Sequence, residues 1–114
     1  MDKITNYKNI VRKLAQYIAS ISPSDENVET QLITDDEHGH YLLYSVGWEN
    51  KDYREYGAFV HIDVKPDGKV WVQHDGTSLK IPLMLVEEGI PKNDIVLGYK
   101  SLKRRQDIPE FAMG

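Results

Sequence analysis

The sequence predicts an α+β fold in which a four-stranded antiparallel meander carries a long N-terminal helix on one face and short helical elements near the C-terminus. Three observations support this prediction. Apolar residues recur at helical spacing in residues 2–20, at strand spacing within residues 28–75, and again at helical spacing after residue 78. A chain of 114 residues has the usual size of one domain, so residues 1–114 are expected to form a single domain.

The N-terminal helix is predicted by an apolar stripe whose members are separated by steps of three and four residues. The stripe comprises Ile4, Tyr7, Val11, Leu14, Ile18 and Ile21. Asp2 or Thr5 is suited to cap the start of this helix. The run Ser22-Pro23-Ser24 is expected to end it, because proline disfavours helical geometry in the residue before it. We therefore expect the stripe to pack in the core.

Two alternating apolar runs within residues 57–77 flank the turn Pro66-Asp67-Gly68 and predict a β-hairpin. Proline has the φ angle that the second position of a type I turn needs, and glycine tolerates the left-handed conformation that follows. A three-residue loop closed by Lys65 and Lys69 puts the β-branched apolar residues on one face. The register expected from this closure pairs Val64 with Val70, Ile62 with Val72, and Val60 with His74.

The other face of the hairpin combines polar and aromatic side chains and is the first candidate site. Its expected members are Phe59, His61, Asp63, Trp71, Gln73 and Asp75. Aromatic residues are enriched at protein interfaces, so this face is a candidate partner-binding surface, with a hydrogen-bonded polar patch as the alternative. His61 and Asp63 lie two residues apart on one strand, but two ligands are too few for a metal site. No catalytic residue, metal or cofactor is predicted.

The remaining strands are predicted at residues 28–34 and 41–48, joined by the polar turn at residues 35–39. His38 and His40 flank Gly39 beside three acidic residues of this turn, which predicts a solvated loop or a weak adventitious metal site. Farther along, Ser78 is expected to cap a short helix that has Pro82 in its first turn and ends at Gly89. Residues 95–99 are predicted to form a helix or an edge strand.

Composition excludes several classes of protein. The chain has no cysteine, so disulfides and thiolate metal sites are excluded. No apolar run is long enough to span a membrane, and charges interrupt residues 1–20 where a signal peptide needs an apolar core. These features predict a cytoplasmic protein that does not act at a membrane.

The net charge of −4 opposes DNA binding in general, although a basic cluster near the C-terminus is a weak candidate for nucleic-acid contact. This cluster comprises Lys100, Lys103, Arg104 and Arg105.

Several runs in the chain together resemble one known family, the XisI family. The most specific are the runs Trp71-Val-Gln-His-Asp-Gly-Thr77 and Gly89-Ile-Pro-Lys-Asn-Asp-Ile-Val-Leu97. Supporting matches are Val60-His-Ile-Asp-Val64, Tyr41-Leu-Leu43, Gly47-Trp48 and Glu110-Phe-Ala112. The likeness therefore covers most of the chain.

The resemblance implies a role in controlling excision of the fdxN element, a nitrogen-fixation gene element, during heterocyst differentiation in cyanobacteria. The resemblance implies a role accessory to a recombinase and a companion, XisH, whose family looks like a restriction-endonuclease fold.

Three hypotheses about the function of this chain follow. The first is a non-enzymatic regulator that binds an XisH-like protein through the hairpin face. The second is a DNA-binding accessory factor of a site-specific recombinase, with any direct DNA contact weak, and the third is a small metal-dependent hydrolase centred on His61 and Asp63. A homodimer is a further alternative, because an exposed strand can pair with a second copy of the chain.

Overall fold

The computed structural model describes residues 2–22 and 26–114. Along the chain the elements are α1 (Lys3–Ile21), β1 (Val28–Asp35), β2 (His40–Trp48), β3 (Arg54–Val64), β4 (Val70–Asp75), α2 (Ile81–Glu87), a 3-10 turn (Lys92–Asp94), β5 (Ile95–Leu97) and α3 (Leu102–Gln106). The α+β fold class is therefore confirmed, with one strand more than predicted. Within residues 2–22 and 26–114, no helix combines the length and apolar character needed to cross a membrane.

The long helix α1 begins where the sequence predicts. The Asp2 carboxylate accepts a hydrogen bond from the Thr5 backbone N–H at 2.8 Å, which makes Asp2 the N-cap. The buried stripe runs from Tyr7 to Ile18, whereas the last member of the predicted stripe, Ile21, is exposed. The helix ends at Ile21 and is capped by Ser22. The rest of the predicted stop signal, Pro23 and Ser24, lies outside the described residues.

The sheet has five strands in the order β1-β2-β3-β4-β5. The first four form the predicted antiparallel meander, and β5 adds to its edge in parallel with β4. A parallel neighbour requires a crossover connection, and residues 76–94, which include α2, supply it. The segment at residues 95–97 is thus an edge strand rather than a helix.

The core lies between α1 and the face of the sheet that it covers, which we call the helix face. Val11 and Ile18 of α1 and Leu43, Val60 and Ile62 of the sheet are fully buried. The short helix α2 packs on the same side, with Ile81 and Leu85 buried. Ser78 does not cap α2, because the position before the helix is Lys80, which adopts a left-handed conformation.

The β3–β4 hairpin closes as predicted. The Lys65 backbone N–H donates to the Lys69 carbonyl at 2.9 Å, and Gly68 adopts φ +86°, which favours glycine. Val64 pairs with Val70 and Ile62 pairs with Val72. The expected pairing of Val60 with His74 is wrong, because Gln73 is an extra residue in β4 and forms a β-bulge. Val60 lies opposite Asp75 instead.

Candidate functional site

The side of the sheet away from α1, which we call the outer face, contains most of the predicted site. Its first part is a polar cluster formed by His40, His61, Asp63 and Gln73. Its second part is an apolar stripe formed by Ile33, Leu42, Tyr44, Val46, Trp48 and Tyr56. Its third part is Trp71, which lies beside the C-terminal segment.

Two predicted members of the hairpin face, Phe59 and Asp75, do not belong to the outer face. Phe59 is the extra residue of a second bulge, in β3, because Val60 pairs with Leu43 and Ala58 with Tyr44. Its side chain instead packs against the core and lines the same cavity as Ile18 of α1. The prediction assumed strict alternation, and each bulge reverses the face of the residues beyond it.

Asp75 has a structural role at the start of the crossover. Its carboxylate accepts hydrogen bonds from the Thr77 backbone N–H at 2.9 Å and the Thr77 hydroxyl at 2.6 Å. It also accepts one from the Ile81 backbone N–H at 3.1 Å. Asp75 therefore satisfies the amide at the start of α2, the task that the sequence had suggested for Ser78.

Asp63 is the centre of the polar cluster, and its side chain is only 7% exposed. Its Oδ1 lies 2.7 Å from His40 Nδ1 and 2.9 Å from His61 Nε2, while Oδ2 accepts a hydrogen bond from the Gln73 amide at 3.1 Å. Burial raises the pKa of Asp63, but the hydrogen bond from His40, the charge of His61 and the Gln73 hydrogen bond outweigh it. The net effect is a lowered pKa, so Asp63 is an anion at neutral pH.

His40 is the member of the cluster that the sequence pattern does not predict. The polar turn that precedes it suggested a loop shared with His38, but His40 is the first residue of β2 and pairs directly with Asp63 of β3. His38 interacts instead with the Asp35 carboxylate at 2.8 Å. The sequence pattern places only His61 and Asp63 together, whereas the pairing of two neighbouring strands adds His40 as a third side chain.

Trp71 is half-buried between two cations. The Lys65 ammonium lies 5.9 Å from the centre of the indole ring, and the Arg105 guanidinium lies 5.1 Å from it. The C-terminal segment is fixed beside β5, since the Ala112 backbone N–H donates to the Ile95 carbonyl at 2.8 Å. Trp71 is therefore partly covered by its own chain.

The structure divides the basic cluster. Arg105 donates to the Lys100 carbonyl at 3.0 Å and to the Met113 carbonyl at 2.8 Å, so it holds the C-terminal segment together. Lys100 is half-buried and lies 5.5 Å from the Tyr99 ring. Lys103 and Arg104 on α3 are exposed. Contact with nucleic acid remains a prediction, and it now concerns mainly these two side chains.

The apolar stripe is open to solvent. Tyr56 is 66% exposed, Trp48 49% and Ile33 44%. The Arg54 guanidinium lies 5.4 Å from the Trp48 ring and 5.6 Å from the Tyr56 ring, and Tyr44 packs against Tyr56 with ring centres 5.6 Å apart. An exposed group of aromatic and arginine side chains has the composition of an interface centre.

Sequence comparison identifies the family of this chain. A sequence model described as XisI protein matches residues 1–113. The chain belongs to the XisI family. The resemblance noted in the sequence is thus confirmed over nearly the whole chain. No curated protein sequence gives a significant match.

Two crystal structures of proteins from Anabaena variabilis share the fold. A XisI-like protein is 38% identical, with a TM-score of 0.88 over 96% of this chain and 98% of that one. The fdxN element excision controlling factor XisI is 30% identical, with a TM-score of 0.85 over 99% of this chain and 100% of that one. Because both comparisons cover nearly the whole of each chain, the XisI fold extends over the sheet, the helices and the C-terminal segment described above.

Proposed function

We propose that this protein is a non-enzymatic accessory factor that controls excision of a DNA element by binding an XisH-like protein in the cytoplasm. Membership of the XisI family and the likeness to an excision controlling factor support the regulatory role. The observation that carries the binding mode is the exposed apolar stripe on the outer face. An XisH-like protein is proposed as the partner because the resemblance to the XisI family implies it.

The outer face suits a protein partner better than a reacting substrate. Its exposed end is an open sheet surface with Trp48, Tyr56 and Arg54 in mutual contact. Trp, Tyr and Arg are the residue types that carry most of the energy at protein interfaces. A flat surface of this kind buries a protein partner without enclosing a small molecule, for which concave sites are usual.

Co-expression with an XisH-like protein tests the proposal. We expect the two proteins to co-purify as a complex whose mass is determined by light scattering. The double variant Trp48→Ala, Tyr56→Ala is expected to keep its fold, since both side chains are exposed, and to bind at least about tenfold more weakly, because truncating an interface centre costs about 2 kcal/mol or more.

Tyr17→Ala is the matched control. Tyr17 is 52% exposed and lies on α1, on the opposite side of the molecule from the stripe, so its truncation should leave binding unchanged. Absence of any complex at micromolar concentration contradicts the proposal. If the double variant binds the partner as tightly as the control does, the contact lies elsewhere and the binding mode is wrong.

A further inference from the structure

Three side chains of the types that bind transition metals meet on the outer face. His40 Nδ1, His61 Nε2 and the Asp63 carboxylate offer one ligand atom each, and these atoms all lie within 4.8 Å of one another. The two nitrogen atoms lie 2.7 and 2.9 Å from the same carboxylate oxygen. Two imidazoles and one carboxylate therefore face a common point.

The backbone fixes this arrangement. Asp63 and His40 are direct partners in the β2–β3 ladder, and His61 lies two residues before Asp63 on the same side of β3. The Gln73 amide donates to Asp63 Oδ2 and leaves Oδ1 directed at the two rings. A hydrogen bond to the far oxygen of a ligating carboxylate is the usual way in which proteins orient such a ligand.

We infer that His40, His61 and Asp63 form a binding site for one divalent transition-metal ion of the Zn²⁺, Co²⁺ or Ni²⁺ type. Imidazole nitrogen selects these ions over Mg²⁺ and Ca²⁺, which prefer oxygen ligands. The site does not depend on the XisH-like partner, because all three ligands come from this chain.

Metal binding requires only a small rearrangement. Ligand atoms about 2.1 Å from a tetrahedral ion lie about 3.4 Å apart, so the His40 and His61 nitrogens must move about 0.7 and 0.5 Å away from the carboxylate oxygen. The three ligand atoms now lie within 4.8 Å of one another, so the most distant pair must approach by up to about 1.4 Å. The side chains of His40 and His61 are 45% and 32% exposed, which gives their rings room to rotate. The ion takes the place of the protons that the two rings share with Asp63.

An open coordination position and a nearby positive charge determine how the site binds a metal ion. Three protein ligands leave one tetrahedral position for water or for a ligand from another molecule, and this position opens toward solvent on the outer face. The Lys65 ammonium lies 4.0 Å from Asp63 Oδ2 and repels a cation, which reduces the affinity. The site is therefore suited to reversible rather than permanent binding.

Titration of the tag-free protein with Co²⁺ tests this inference. We expect one equivalent to bind, with visible d–d absorption of a tetrahedral complex that Zn²⁺ abolishes by displacement. Binding should be at least about tenfold weaker in His40→Gln and in His61→Gln, because glutamine can still donate to Asp63 but does not replace an imidazole ligand.

The control is His38→Gln. The His38 ring stacks on His40 at 6.5 Å but interacts with Asp35, so this variant should bind Co²⁺ as the unmodified protein does. Nitrogen-15 chemical shifts of the histidine rings in the Zn²⁺ complex should identify Nδ1 of His40 and Nε2 of His61 as ligands. The inference is overturned if the protein binds no Co²⁺ at sub-millimolar concentration, or if the glutamine variants at positions 40 and 61 bind as tightly as the control.

Discussion

The two faces of the sheet use the same strands in opposite ways. On the helix face, apolar residues of β2–β5 and α1 are packed away from water, and Ile62 is fully buried. On the outer face, Ile33 and Tyr56 remain exposed, and a buried carboxylate is surrounded by hydrogen-bonding side chains. The helix face therefore buries the apolar surface that stabilises the fold, whereas the outer face leaves apolar side chains exposed to solvent.

The free energy of unfolding should change most when a buried isoleucine of the helix face is truncated, and the matched comparison is an exposed isoleucine of the outer face. Ile62→Ala leaves a cavity in the core and should lower the free energy of unfolding by about 2–5 kcal/mol. Ile33→Ala on the outer face should change it by about 0.5 kcal/mol or less, because the side chain already contacts water. Urea denaturation of both variants measures the difference. Similar decreases in the free energy of unfolding in the two variants would contradict the conclusion that the helix face, and not the outer face, stabilises the fold.

Among the described residues, Asp63 on the outer face and Asp94 on the helix side are buried carboxylates. The pH dependence of stability tests the surroundings of Asp94. Asp94 accepts a hydrogen bond from the Tyr7 hydroxyl at 2.5 Å and forms ion pairs with Lys3 at 2.9 Å and Lys69 at 3.3 Å. Burial raises the pKa of Asp94, but the hydrogen bonds from Tyr7, Lys3 and Lys69 outweigh it and lower the pKa overall. The stabilisation is therefore present above the unfolded-state pKa of about 3.9 and is lost as pH falls through the lower folded-state pKa.

Asp94→Asn should therefore cost about 2 kcal/mol at neutral pH, because it weakens the hydrogen bonds of a buried anion. It should also flatten the fall in stability between about pH 5 and pH 2, the range in which native carboxylates become protonated. Thermal unfolding across this range measures both effects. The exposed Asp107→Asn serves as the control and should follow the unmodified protein. An unchanged pH dependence in Asp94→Asn would show that the network around Tyr7 does not contribute.

The smallest change in stability is expected in the part of the outer face that the C-terminal segment covers. Arg105→Gln removes the guanidinium from Trp71 and the donors to two backbone carbonyls, and it should destabilise the protein by about 1 kcal/mol. Arg104→Gln on the same helix should have almost no effect on stability, since Arg104 is exposed. Protection of the Ala112 amide from hydrogen exchange is the measurement. Equal protection in both variants would mean that Arg105 does not anchor the segment.

The residue pattern predicts the local elements of the fold well. The cap of α1 at Asp2, the turn at residues 66–68 and the order of the antiparallel strands are each specified by residues close together in the chain. The pattern of the fifth strand predicts either a helix or an edge strand, because three apolar residues fit both structures. Only the contact with β4 decides between them.

The candidate site was predicted in part. His61, Asp63, Trp71 and Gln73 lie on the outer face as expected, whereas Phe59 and Asp75 do not. Alternation predicts a face correctly only while the register is regular, and each strand of the hairpin contains one extra residue. The sequence predicts His40 in a loop, because the four acidic and histidine residues before Gly39 are typical of a turn.

Residue pattern alone is sufficient to specify the α+β class, the amphipathic helix, the hairpin loop and the XisI family, because periodicity, turn chemistry and residue runs are local properties of the chain. The positions of the bulges, the side chains that leave the outer face and the histidine that meets Asp63 follow only from the folded sheet. These features depend on the register between strands that are distant in sequence, and that register is fixed by the packing of the whole sheet against α1.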